Sequence, residues 1–130
     1  SRPTGNLRGN GVMNNLPKIQ RAIPQRRYQY GDYAVAVLGE VESADAHDYQ
    51  FVAAFVKEGE AQPRLYVVSE RLPPGQRERG SHALRVINSA MDEIMDVDGR
   101  WARQTDFVDQ ALMLGSQLLG LEQDTPYPLA

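Results

Sequence analysis

A chain of 130 residues with 42% hydrophobic and 24% charged side chains fits one domain with a core of its own. With a formal net charge of −3 and no cysteine, disulfides, thiolate metal sites and a cysteine nucleophile are all excluded. No stretch approaches the ~18 apolar residues of a membrane span, and the first residues lack a charged-then-apolar leader, so the expectation is a soluble cytoplasmic protein with no membrane partner.

The charge is divided by position. Residues 1–27 carry six basic side chains (Arg2, Arg8, Lys18, Arg21, Arg26, Arg27) and no acid, whereas residues 28–130 carry eight basic residues and all seventeen acids. The arm is therefore +6 and the body −9. Such a division separates a basic N-terminal arm (1–27) from a single α+β domain (28–130), the arm seeking an acidic partner or lying across the acidic body. The basic residues are twelve Arg and two Lys. Guanidinium forks grip anions, but a GC-rich genome produces the same bias.

In chain order, residues 1–15 are rich in Gly and Asn, as in a linker-like arm. Residues 16–23 predict a short helix with Pro17 in its first turn, Asn15 as its cap and Pro24 as its stop. Three strands follow at 33–41, 49–57 and 65–70, and residues 28–30 offer a backward extension of the first, with Gly31 as a bulge. The short connectors between them require an antiparallel meander, because a parallel crossover takes a dozen residues or more. After the Pro-Pro-Gly break, Leu84, Ile87, Met91 and Ile94 recur at spacings of three, four and three. That period predicts a helix from Ser81 as cap to about Val97, closed by Gly99. A last helix runs from Thr105 or Asp106 to Leu119, ended by Gly120, with Trp101 plugging the junction between the two helices. The expected fold is thus α+β: a three-stranded meander, with a fourth strand allowed by residues 28–30, and two C-terminal amphipathic helices on one face.

The strand pattern raises a question of assembly. In the first two strands the second face (Ala34, Ala36, Leu38; Val52, Ala54, Val56) is as apolar as the first, so two C-terminal helices leave one side uncovered. At about 25 cal/mol per Å² of wet apolar surface, the N-terminal segment, a second subunit or a ligand should cover it. A homodimer is the leading expectation.

Familiar chemistries find little footing. His47 and His82 are distant in sequence, and Asp45, His47 and Asp48 form a polar turn rather than a set of metal ligands. The run Asp96-Val97-Asp98-Gly99 would put Ile94 and Thr105 at the first and twelfth positions of a calcium loop, where neither suits. No nucleophile elbow and no phosphate loop is present, and Ser81 beside His82 reads as a cap rather than half of a dyad. The acids Asp92, Glu93, Asp96 and Asp98 read as the wet face of the expected helix. Expected cofactors, catalytic residues and metal ligands are therefore none.

Arg26-Arg27-Tyr28-Gln29-Tyr30 mixes guanidinium and aromatic groups, as nucleic-acid surfaces do, and Arg71, Arg77, Arg79 and Arg85 gather around the Pro-Pro-Gly loop, yet the pI near 5.3 argues the other way. The reading is a non-enzymatic protein-interaction module (adaptor, regulator or secretion-chaperone-like), homodimeric, with a protein partner. Its candidate partner-binding residues are Arg21, Arg26, Arg27, Tyr28, Tyr30, Leu38, Val52 and Val56. The alternatives are nucleic-acid binding through the basic arm and a small-ligand-binding domain or enzyme.

Overall fold

The computed structural model describes residues 16–130, a seven-stranded antiparallel sheet with one α-helix packed on one face. The strands are β1 (Ile19–Tyr30), β2 (Tyr33–Ser43), β3 (Tyr49–Lys57), β4 (Leu65–Arg71), β5 (His82–Ile87), β6 (Asp92–Val97) and β7 (Tyr127–Leu129), and the helix is α1 (Gln104–Leu119). Their order across the sheet is β6-β5-β4-β3-β2-β1-β7. Six strands meander in sequence, then the chain crosses the sheet as α1 and returns as β7 on the far side of β1.

The layout expected from sequence is corrected in two places. The segment read as a helix from Ser81 to Val97 is the β5–β6 hairpin, and with β1 and β7 seven strands and one α-helix replace three or four strands and two helices. All six residues of β5 are buried because the strand is covered on both faces, and a two-face strand shows no alternation to read. The turn is made by Asn88, whose Oδ1 accepts from the backbone N–H of Ala90 at 2.7 Å and Met91 at 2.8 Å, an Asx arrangement. Ser81 precedes β5 and caps nothing helical. The second correction is at residues 16–23, where β1 begins instead of a short helix, and Pro24 sits within that strand at the sheet's margin. Gly31, at φ +58°, and Asp32 form the two-residue turn to β2. The expectation for residues 1–15 lies outside the described residues.

The first face of the sheet packs against α1. Val35, Val37, Phe51, Phe55, Leu65, Val67, Leu84 and Val86 meet Phe107, Val108, Ala111 and Leu114 of the helix, and Phe51 stacks on Phe107 with ring centroids 5.5 Å apart. The helix matches the sequence-based boundaries closely, ending at Gly120 with φ +72° and a backbone N–H bonded to the Ser116 carbonyl. Trp101 is buried as expected, but in a 3-10 turn (Gly99–Ala102) that joins strand to helix. Its indole N–H donates to Asp96 at 3.0 Å, and its carbonyl accepts from the buried Ser69 hydroxyl at 2.6 Å.

The second face is partly covered by the chain itself. Tyr49, Val52, Val68 and Ile87 form a small buried cluster there, packed by Leu16, Ile19, Leu38, Val41 and Tyr66. Two local irregularities supply the cover. Glu40 adopts φ +48°, so Val41 joins Leu38 on the second face instead of alternating with Val37 on the first. A register shift between Tyr49 and Phe51 does the same for Tyr49. Strict alternation across residues 33–41 and 49–57 fails at these two points.

Candidate interaction surface

Directly paired residues of antiparallel neighbours share a face, so the strand register lays the second face out in rows. One row reads Tyr127, Gln29, Ala34, Val56. The next reads Leu129, Arg27, Ala36, Ala54, Tyr66, Ile87. A third reads Pro24, Leu38, Val52, Val68, Arg85, Ile94. At the β6 end of the third row Ile94 is 59% exposed, and from β3 towards β7 the apolar members of each row become more exposed. Val52 and Val68 are fully buried, Leu38, Ala36 and Val56 are half-buried, and Ala34, Leu129 and Tyr127 are exposed, Tyr127 at 70%.

The open field spans β7, β1, β2 and the end of β3: Ala34, Ala36 and Val56 on one side and Tyr127 and Leu129 on the other, with Gln29 and Arg27 of β1 between them. Arg27 stands within it, its Nη2 donating to the Ala130 carbonyl at 3.4 Å.

The sequence-predicted partner residues divide accordingly. Arg27, Leu38 and Val56 lie on the open field or its border. Val52 lies under the chain's own cover, with no surface left to offer a partner. Tyr28 and Tyr30 are core residues of the first face, 7% and 6% exposed, and present no ring to a base or a partner. Arg26 is exposed on the first-face side of β1, bonding the Tyr28 hydroxyl at 3.4 Å, and Arg21 is exposed near Glu42 at 3.9 Å. Sequence reasoning missed Tyr127 and Leu129, because residues 121–130 gave only the Pro126 and Pro128 signals of an extended tail.

At the covered end of the second face stands a charge network. Arg85 donates to both Asp92 oxygens at 2.9 Å and to Glu70, and His47 Nδ1 lies 2.6 Å from Glu70. Hydrogen bonds to both acids and their charge hold the guanidinium's pKa above its usual value although burial opposes this. Beside it Tyr49 donates to Asp45 at 3.0 Å, and burial with the adjoining carboxylate raises the phenol's pKa. Asp45 shows the opposite balance. Burial would raise it, but the N–H groups of Lys18 and His47 and its side-chain donors hold it below the ordinary carboxylate value. These bonds tie the start of β1 and the β2–β3 connector down over the second face.

Other polar groups are also engaged. Arg71 meets Asp48 at 2.6 Å and Arg103 meets Asp106 at 2.7 Å, while Arg77 donates to the Leu72 carbonyl. With Arg85 buried as well, three of the four cations around the Pro-Pro-Gly loop face protein partners. Ser81 Oγ sits 2.7 Å from His82 Nδ1, and His82 Nε2 faces the Gln50 side-chain oxygen at 3.2 Å. Gln50 as acceptor fixes the Nε2–H tautomer, leaving Nδ1 to accept from Ser81. Burial and the charges of Arg71 and Arg77 hold His82 below its ordinary pKa. The concavity of about 290 Å³ lined by Leu72, Gly75, Gln76, Glu78, Arg79 and Val97 includes neither Ser81 nor His82 in its walls. No group of three or more His, Asp or Glu that could hold a metal occurs among the described residues.

Among the described residues, no helix is long and apolar enough to cross a membrane. Comparison with family models, with curated proteins and with solved structures finds no match to this chain.

Proposed function

We propose that this chain is a non-enzymatic protein-interaction domain that self-associates through the open field of its second face. The supporting observation is the burial gradient along the strand rows. Val52 and Val68 are hidden by the chain's own Leu16, Ile19 and Val41, whereas Ala34, Ala36, Val56, Tyr127 and Leu129 keep an apolar face to solvent. The apolar surface offered to a second copy therefore lies on the β7–β2 side of the second face. A second copy laid on that side by a twofold axis buries each open field against the other, the simplest closed arrangement for one self-complementary patch. The alanines let another backbone come close, and Tyr127 has the area of an anchoring side chain.

The test is sedimentation velocity over a concentration series from about 1 to 500 µM, the range in which a small apolar interface becomes populated. The wild-type chain is expected to shift from monomer to dimer. Ala34→Arg, at an exposed position, and Tyr127→Ser are each expected to keep it monomeric with unchanged circular dichroism. A wild-type chain that stays monomeric throughout, or variants that dimerise as well as wild type, overturns the reading.

A further inference from the structure

The two margins of the sheet are built differently. At one, β1 carries Pro24 and three register shifts, and β7 covers it at Arg27–Gln29. Proline and bulges are devices that blunt a strand against uninvited pairing. At the other, β6 is the outermost strand, and among the described residues nothing pairs with its outer side. It contains no proline and a single bulge, with Met95 the extra residue between the Leu84–Asp96 and Arg85–Ile94 pairs. Four of its six residues are exposed, with Ile94 at 59% and Met95 at 45%.

The guard on β6 is charge. Asp92, Glu93 and Asp96 lie in the strand and Asp98 follows it. Arg85 neutralises Asp92, but Asp96 bonds the uncharged Trp101 indole and Asp98 caps the backbone N–H of Arg100, so neither is matched by a cation there. Glu93 is exposed with no cationic partner among the described residues. Arg100 is the nearest cation in sequence, and it leans over the Trp101 ring towards Asp106. A proline blocks every incoming strand, whereas a row of acids repels only acidic ones and draws basic ones in.

We infer that the outer margin of β6 is a strand-docking site for an extended, cationic peptide segment with alternating apolar residues, supplied by a partner protein. The added strand takes the free backbone groups of β6, its basic side chains face Glu93 and Asp96, and its apolar ones pack beside Ile94 and Met95. A second copy's β1, though basic at Arg21, Arg26 and Arg27, is a poor occupant because Pro24 and the register shifts interrupt it. β6 lies at the opposite end of the sheet from the field over β7 and β2, so this site and the self-association surface stand or fall separately.

The probe is a synthetic peptide of about eight residues alternating lysine and valine, long enough for one strand, added to the full chain. Three controls accompany it: a glutamate–valine analogue, a lysine–valine peptide N-methylated at every second residue, and the Glu93→Lys variant. Amide exchange by NMR is expected to show new protection within residues 92–97. The glutamate and N-methylated peptides are expected not to bind, and Glu93→Lys is expected to weaken binding about ten-fold. Absence of protection at about 1 mM peptide, protection appearing on β1 or β7 instead, or equal binding of the N-methylated peptide would each overturn the assignment. Sedimentation of the same samples separates this outcome from self-association.

Discussion

Arg85 and Asp92 meet fork to fork across the β5–β6 hairpin, with Nη2 2.9 Å from both carboxylate oxygens and Nε 3.2 Å from Oδ1. The guanidinium is 7% exposed and lies in a row that is otherwise apolar at its centre, between Val68 and Ile94. Removing it leaves partly buried Asp92 without its cation and Glu70 with only the His47 imidazole beside it. Arg85→Ala should therefore lower stability by about 3 kcal/mol. Combining Arg85→Met with Glu70→Leu and Asp92→Leu should restore most of that loss, because desolvation of all three charges is then avoided. Urea denaturation of the single and triple variants checks both statements.

Gly115 of α1 lies against the Phe55 ring, where any Cβ would overlap ring carbons. Helix propensity favours Ala over Gly by about 1 kcal/mol, yet overpacking a close helix–sheet contact costs about 1–3 kcal/mol. Gly115→Ala is expected to be net destabilising, and Gly115→Val strongly so. Pairing Gly115→Ala with Phe55→Leu should recover stability relative to Gly115→Ala alone. Additive losses in thermal unfolding of the double variant would remove the contact as the cause.

Asp45 is held below its ordinary pKa in the folded chain, so the unfolded chain binds more protons around that value. Its contribution is complete above the unfolded carboxylate pKa, about 4. It is lost as pH falls through the lower folded value. Asp45→Ala should flatten the acid limb of the stability–pH curve while lowering stability at neutral pH. Denaturant midpoints measured between about pH 2 and 7 are the readout, with the pH range set by the ordinary carboxylate pKa.

His82 is likewise depressed, but as a base. Below about pH 6.5 the unfolded imidazole takes up a proton that the folded one, buried beside Arg71 and Arg77, resists. Stability should therefore decline as pH drops below that value and level off above it. His82→Gln should remove this part of the slope and leave the more acidic limb of Asp45 in place. An unchanged slope between about pH 5 and 6.5 would exclude His82 as its source.

Residues 33–41, 49–57 and 65–70 announce strands β2, β3 and β4 because β-branched and aromatic residues there are bounded by short polar connectors. The last helix was equally legible, since Phe107, Val108, Ala111 and Leu114 repeat on one face and Gly120 closes it. The β5–β6 hairpin was not. Leu84, Ile87, Met91 and Ile94 mimic a helical period, and burial of β5 on both faces erases the two-residue alternation. Of the expected partner residues, Arg27, Leu38 and Val56 fell on or beside the open field, whereas Tyr28 and Tyr30 were drawn into the core. Their partners, Val35 and Tyr33 of β2, become visible only once β1 pairs.

By itself the sequence determined the antiparallel run of β2, β3 and β4, the closing helix, the division of charge between residues 1–27 and 28–130, and an excess of apolar surface on two faces, because each of these follows from local spacing and composition. Tertiary structure alone decided which part of that surface stays wet. The positive φ at Glu40 and the shift beside Gln50 turn Val41 and Tyr49 inward, and Leu16 and Ile19 arrive from far along the chain to close one half. Coverage is a property of distant residues meeting, and no window of sequence contains both sides of that contact.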